Sequence, residues 1–427
     1  MSSGTTRAAV VLGVLVAVLC IGPAGAQAGW RAEQIFALDA GTPQDPTAVD
    51  ITCDVAGQPI VAATTVHRDD DYSWSTMVRR SARVGAWVTD TVYAGGALAD
   101  YPAVAIRVGA SGETTVIHPG TEDLYGAPAL WSSTWNGQAW QRTAIDHAET
   151  TGWAAFGPQG QILHTCNSMG EYISYQGTPL ISNNGYPQPR PWYMDDWAYF
   201  DSLSVGHDAF GFTDNNTGCM HYMTPTGIDV LLGPADVQAG SFVNTQAGKA
   251  FAVYASQGEL LLAACGQYPP TESIPNEHLV TQHYSTLQNW LDSLGDTVQG
   301  LGDVWYRDML GIGDVVEFDA AQDAEGLLHL AMVDAAGDLR YAKIDITGAP
   351  WSGESGPVIQ TLQLVDSGAQ APALTLDANG VPWIAYVSDD GFVNAATVPE
   401  PAIGCLLLGG ACMAVFHRRR DRRLRTA

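Results

Sequence analysis

The chain has 427 residues, with 45 acidic side chains against 19 basic ones and a formal charge of −26. A field of that sign repels polyanions, which excludes nucleic acid as a partner and argues against anionic lipid. With 46% hydrophobic and 9% aromatic residues, the chain can bury a large core, so an intrinsically disordered protein is excluded as well.

The first predicted element is a secretory signal peptide over residues 1–26. Arg7 precedes an apolar run from Ala8 to Ile21, and the small residues Ala24 and Ala26 follow it. The run is about 14 residues, short of the roughly 20 that a helix needs to cross a bilayer, so a cleaved leader is expected rather than an anchor. Leu19 stands before Cys20 where a lipid-modified cysteine needs a small neighbour.

From residue 30 to 397 the chain repeats. The grammar is clearest at Leu374 to Tyr386, where the turn Asp377-Ala378-Asn379-Gly380 separates two strand-like runs; the turn Ser388-Asp389-Asp390-Gly391 then leads into Phe392 to Ala396. Val316 to Lys343 has the same order, with turns at Asp323 to Gly326 and Ala336 to Asp338, and in both units the two glycines are 11 residues apart. Degenerate copies surround Gly57, Gly112 and Gly160, and two weaker ones end their second turns at Gly218 and Gly258. First turns near 57, 112, 160, 207, 247, 326 and 380 make about seven units at the spacing of propeller blades. The expected fold is all-β, a β-propeller of about seven four-stranded blades. A six-bladed ring and a β-sandwich array are the alternatives.

Trp87, Trp140 and Trp351 each mark the outer part of a unit, and Trp30-Arg31-Ala32-Glu33-Gln34-Ile35 matches that element. The last unit, however, stops at Thr397 without one. The N-terminal strand is therefore expected to complete the last blade and close the ring, which removes the free sheet edges.

The rhythm breaks at about 267–313. Leu287, Trp290, Leu291, Leu294 and Val298 recur there at helical spacing, which predicts a short amphipathic helix in an inserted loop. Four cysteines, Cys53, Cys166, Cys219 and Cys265, lie between the two ends and are disulfide candidates with three connectivities open. No cofactor is expected; calcium is the alternative, with Asp214 and Asn216 as candidate ligands, although turns use the same residue types for backbone reasons. Trp192, Tyr193, Asp195, Asp196 and Trp197 form the candidate ligand-binding segment. Aromatic rings stack on sugar faces while carboxylates accept their hydroxyl hydrogen bonds, although blade core with a polar turn is an equal use of these residues.

The last predicted element spans 398–427. Val398-Pro399-Glu400-Pro401-Ala402 precedes an apolar run from Ile403 to Phe416 and the basic cluster His417 to Arg423. Basic residues beyond an apolar span stay cytoplasmic, so the body faces outward. Without the two ends, 12 basic against 43 acidic side chains leave the body at −31.

The tail resembles the PEP-CTERM sorting signal of Gram-negative bacteria, with Pro399, Glu400 and Pro401 as its motif. The resemblance implies export by the Sec machinery, a transient stay in the inner membrane, recognition by an exosortase, and release to the surface or extracellular matrix. The repeat grammar resembles sialidase or BNR-type and lectin-like propellers, and Ser133 to Trp140 is similar to their Asp-box hairpin, with Trp135 where that motif carries aspartate. No catalytic motif is present in the body. The expected function is a non-catalytic propeller that binds exopolysaccharide or another surface component. A secreted glycoside hydrolase or lyase is the alternative, since propellers assemble sites from several blades.

Overall fold

The computed structural model describes residues 29–38, 47–68, 74–97, 104–121, 128–146, 154–156, 162–167, 171–175, 178–182, 200–205, 210–214, 219–223, 229–232, 237–244, 250–256, 259–267, 303–346 and 357–398. Within 163–252 and 263–309 the description is almost entirely of backbone.

The first strand, β1 (Arg31–Ala37), is not a strand of the blade that follows it in sequence. Blade 1 is β2 (Thr47–Cys53), β3 (Pro59–Arg68), β4 (Trp74–Val84) and β5 (Ala86–Ala97). Blade 2 is β6 (Ala105–Val108), β7 (Thr114–Thr121), β8 (Pro128–Trp135) and β9 (Trp140–Asp146). Blade 3 comprises β10 (Ala154–Phe156), β11 (Ile162–Asn167), β12 (Glu171–Tyr175) and β13 (Thr178–Ser182), and blade 4 β14 (Phe200–Val205), β15 (Phe210–Asp214), β16 (Cys219–Met223) and β17 (Asp229–Leu232). Blade 5 is β18 (Val237–Asn244), β19 (Ala250–Ser256), β20 (Glu259–Gln267) and β21 (Asp303–Gly313), and blade 6 is β22 (Val315–Gln322), β23 (Leu327–Asp334), β24 (Leu339–Asp345) and β25 (Val358–Asp366). The last three strands are β26 (Ala369–Leu376), β27 (Pro382–Ser388) and β28 (Phe392–Thr397). They form blade 7 with β1, in the order β1-β28-β27-β26, so the N-terminal strand is the outer strand of the last blade. The innermost strands β2, β6, β10, β14, β18, β22 and β26 touch in succession, and β26 touches β2 again. The chain is a seven-bladed propeller.

Strand alternation explains how the blades hold together. Val61 and Ala63 of β3 pack toward blade 7 with Ala373, Trp383, Ala385 and Val393. Their neighbours Ile60 and Ala62 pack the other way, with Ile106 and Val116 of blade 2. Successive residues point to opposite faces of a sheet, and here both faces are covered, so the middle strands read as continuous apolar runs. Blades 5 and 6 share a larger cluster, in which Leu260, Leu262 and Leu310 meet Leu328, Leu330, Met332 and Ile344.

The first turns are built alike. Asp54, Asp323 and Asp377 each accept the backbone N–H four residues on at 2.8 Å through Oδ1, while each turn glycine N–H donates to the same aspartate's carbonyl. This requires a left-handed backbone at Gly57, Gly326 and Gly380, with φ of 75°, 83° and 75°, which explains the Asp-x-x-Gly spacing.

The insert is shorter than the sequence reading placed it: Gln267 ends β20 and Asp303–Gly313 is strand β21, paired with β20 from Gln267↔Asp303 to Glu259↔Gly313. The helix expected around 287–298 lies outside the described residues, which contain no helix long and apolar enough to cross a membrane.

Outer strands are stapled by two of the tryptophans that the sequence marked, Trp87 and Trp140; the third, Trp351, lies outside the described residues. The Trp87 indole Nε1–H donates to Glu33 Oε2 of β1 at 3.1 Å, and the Trp140 Nε1–H donates to Asp90 Oδ2 of β5 at 3.1 Å. Each acid lies three residues after a tryptophan, Trp30 or Trp87, so the staple is a repeat property. Arg83 adds a 3.2 Å ion pair to Glu33 and lies over the Trp383 ring, and Arg79 donates to the Ala37 carbonyl at 2.7 Å. The closing strand is thus held by blade 1 as well as by β28. Glu33→Gln should lower stability by about 1–2 kcal/mol, and Trp87→Phe by about 1 kcal/mol. Chemical denaturation of the single and double variants should show the two losses falling short of additive; strictly additive losses would mean that the staple does not exist.

Candidate functional site

The inner strands carry the groups with the most perturbed chemistry. Asp50 lies mid-way along β2 and Asp319 at the same place on β22, each seven residues before its turn glycine. Asp50 accepts the N–H of Ile51 through Oδ1 at 2.8 Å and, through Oδ2, the N–H of Ile106 in blade 2 at 2.7 Å. Asp319 repeats this, accepting from Ala320 at 2.8 Å and from Leu374 of blade 7 at 2.7 Å. Each carboxylate therefore clasps its own blade to the next one at the ring's inner wall.

Burial pushes the Asp50 carboxyl up to about 7, against the lowering effect of its two backbone N–H groups; the nearby Asp319 charge raises it further. Burial likewise pushes Asp319 up to about 6, against its two backbone donors. Two acids with raised, separated titrations near one axis are the usual material of acid–base catalysis. Here both oxygens of each are occupied by backbone donors, and the arrangement serves the blade junctions.

Two further polar clusters lie within the blades, with their histidines buried. In blade 6 the His329 Nε2–H donates to Asp323 Oδ2 at 2.9 Å, and the Tyr341 hydroxyl donates to His329 Nδ1 at 2.7 Å. Lys343 Nζ completes the cluster 3.0 Å from Asp323 Oδ2. Burial alone would raise the Asp323 carboxyl, but hydrogen bonds from His329, the Leu327 N–H and Lys343 outweigh it and bring it to about 2. Desolvation holds His329 below the usual imidazole range, so the ring is neutral and passes its polarity from tyrosine to aspartate. In blade 2 the His118 Nδ1–H donates to the Pro119 carbonyl at 2.9 Å, and the Ser133 hydroxyl donates to Nε2 at 2.8 Å. Burial depresses His118 to about 4. These serine–histidine and aspartate–histidine pairs have the residues of catalytic dyads, but with His118 at 0% and His329 at 1% exposure neither ring reaches a substrate. They satisfy polar groups inside the blades.

The residues singled out from sequence fare differently. Ser133 to Trp140 is the hairpin between the third and fourth strands of blade 2, where Asn136 Oδ1 accepts the N–H groups of Gln138 and Ala139 at 2.9 Å, a structural turn. Cys53 ends β2 as a free thiol, pushed up to about 12 by burial and by the charges of Asp377 and Asp54, so it is not in a disulfide here. Cys166, Cys219 and Cys265 fall on the backbones of β11, β16 and β20, in three different blades. Asp214 ends β15, opposite Cys219. Asn216, the segment with Trp192, Tyr193, Asp195, Asp196 and Trp197, and the motif Pro399, Glu400 and Pro401 lie outside the described residues. No group of metal-ligating side chains is assembled among the described residues. Sequence reading missed Asp50 and Asp319; the available signal was a lone acid seven residues before a turn glycine, repeated in two units.

The sign of the pH effect follows from the raised carboxyls. Between about pH 4 and 7 the unfolded chain ionises these two groups while the folded ring resists, so their contribution to stability falls as pH rises through that window. His118, depressed in the fold, works in the opposite sense between about 4 and 6.5, so the comparison must be with a variant. Asp50→Asn should gain on the wild type by about 1–3 kcal/mol between pH 5 and 8 in denaturation midpoints. A difference independent of pH would refute the raised carboxyl.

No family model matches the chain, and no curated protein does. Among solved structures, an inactive variant of virginiamycin B lyase from Staphylococcus aureus, crystallised with quinupristin, is 13% identical over 87% of this chain and 100% of that one, with a TM-score of 0.48. A protein of unknown function from Dyadobacter fermentans is 10% identical over 86% and 98%, at a TM-score of 0.41. YCF48 bound to D1 peptide is 11% identical over 87% and 97%, at a TM-score of 0.45.

Proposed function

We propose that the chain is an exported propeller, sorted through the inner membrane to the cell surface or extracellular matrix, where the ring binds exopolysaccharide or another surface component without turning it over. The observation that carries this reading is the position of the two ends. β1 begins at Arg31, just after the signal peptide, and β28 ends at Thr397, just before Pro399, and the two strands are neighbours in blade 7. Both export elements can therefore be cut away without removing a strand from any blade. The −31 body suits an uncharged glycan better than an acidic polymer. Its machinery partners are the Sec translocon and an exosortase that reads Pro399, Glu400 and Pro401.

Two measurements test this. Replacing Pro399, Glu400 and Pro401 by alanine should leave the protein in the inner-membrane fraction; normal release of that variant would sink the sorting proposal. Purified body should co-sediment with the producing cell's own exopolysaccharide and leave its chain length unchanged. Shortening of the polymer would turn the reading to a glycoside hydrolase or lyase, and absence of binding to any carbohydrate would remove the ligand class.

A further inference from the structure

The rim of a propeller is made of outer strands, each with a backbone edge that can accept another strand. β25, the outer strand of blade 6, is hydrogen-bonded to β24 and to no other described strand. Four of the eight large apolar side chains exposed among the described residues lie on it: Val358 and Leu364, each 60% exposed, Leu362 at 46% and Ile359 at 36%. The ladder puts three of them in one row. Ile359 stands opposite Ile344, Leu362 opposite Ala342 and Leu364 opposite Arg340, with Gln360 as the extra residue of a bulge. Opposite residues share a face of the sheet, and so do alternate residues of β24, so Ile359, Leu362 and Leu364 stand side by side. They continue, out to the rim, the face on which buried Ala342 and Ile344 meet blade 5.

Charge also sets this strand apart. Of the outer strands of seven residues or more, β1 carries Arg31 and Glu33, β5 Asp90, β9 Arg142 and Asp146, and β21 Asp303, Arg307 and Asp308. β25 carries no charge before its last residue, Asp366, which accepts the Tyr386 hydroxyl. Charged side chains are a common means by which edge strands avoid pairing, and β25 has none along its length.

We infer that β25 is a self-association edge, which pairs antiparallel with β25 of a second copy of this chain about a twofold axis. The composition of the strand selects that occupant. Between chains of formal charge −26, an uncharged stretch is where two copies approach with least repulsion. Leu362 is the middle one of the nine residues, so an axis there sets the two Asp366 carboxylates at opposite ends of the pair, about 27 Å apart, each facing the other copy's Val358. An axis perpendicular to the sheet keeps the same face up in both copies, so the two apolar rows lie beside each other and cover one another. One strand is a small interface beside the roughly 800 Å² a side of a standard complex, so the pair forms reversibly and depends on concentration. Joined at the rim, two rings offer a polymer two binding faces, which multiplies avidity; that consequence, unlike the pairing, rests on the glycan reading.

The test uses the full chain with a photo-reactive benzoylphenylalanine in place of Leu362 or, as the control, of Val88, which is 60% exposed on the outer strand of blade 1. Irradiation should give a covalent dimer from the Leu362 probe in several-fold excess over the Val88 probe. Its yield should rise with protein concentration, and its adduct should map to residues 358–366 of the second copy. Leu364→Lys, or Gln360→Lys at a position already polar and exposed, should lower that yield several-fold while leaving the denaturation midpoint unchanged. Equal yields from the two probes, the signature of chains held together by their tails alone, would overturn the inference. So would the absence of a dimer, adducts that map outside β25, or a yield indifferent to both lysines.

Discussion

Everything in this molecule depends on the fact that a four-stranded blade cannot bury its own two faces. β3 sends Val61 and Ala63 toward one neighbour and Ile60 and Ala62 toward the other, so blade 1 is stable only between blades 7 and 2. The same holds around the ring, and an open arc would leave two apolar faces in water. Closure is therefore a condition of stability. It is met by lending the last blade a strand from the other end of the chain.

Polar groups then fix how neighbouring blades register. Near the axis the clasps are Asp50 to the Ile106 N–H and Asp319 to the Leu374 N–H, and at the rim they are Trp87 to Glu33 and Trp140 to Asp90. Between the two lies a third kind of tie, the Tyr386 hydroxyl donating to Asp366 across blades 6 and 7. The inner clasps place carboxylates in a desolvated wall, so burial raises their titration. At the rim, Arg83 and Arg80 stand beside Glu33 and Asp90. A carboxylate with a guanidinium neighbour needs no help from bulk water, whereas one held by backbone N–H groups alone meets the full cost of burial.

Much of this was legible in the residues. The Asp-x-x-Gly turns announce themselves because a left-handed backbone demands glycine and an aspartate satisfies the turn's N–H groups, and the outer tryptophans because one recurs in the outer part of several units; their acid partners, Glu33 for Trp87 and Asp90 for Trp140, lie a blade away. The closing strand was legible for the same reason: Trp30 and Glu33 repeat Trp87 and Asp90. The insert's end was not: Gly300 and Gly302 stand just before Val304-Trp305-Tyr306, but Gly311 and Gly313 offer a second break further on, and only the β20 ladder places the start of the strand at Asp303. Asp50 and Asp319 escaped notice because their one local signal, an acid seven residues before a turn glycine, occurs in only two units, and each acid's partner lies a blade away. The histidine clusters were hidden likewise, since their contacts are set by register across strands.

The closing strand has one more consequence. β1 is made first, yet its partner β28 is made last, so the ring stays open until nearly the whole chain has been delivered. The entropic cost of joining such distant segments grows only logarithmically, about 0.6 kcal/mol per doubling of the loop, so thermodynamics permits it easily. Kinetics does not, because non-local strand pairing is slow and an unpaired β28 edge is open to other chains meanwhile. Glu33, Phe36 and Ala37 reduce that exposure, since their partners Arg83, Trp87 and Arg79 belong to blade 1, which follows β1 directly in sequence. The strand can dock against blade 1 early, through side chains, and present its backbone edge to β28 when that strand arrives. Closure then pairs a waiting strand with a new one, a far smaller search than finding a free N-terminus.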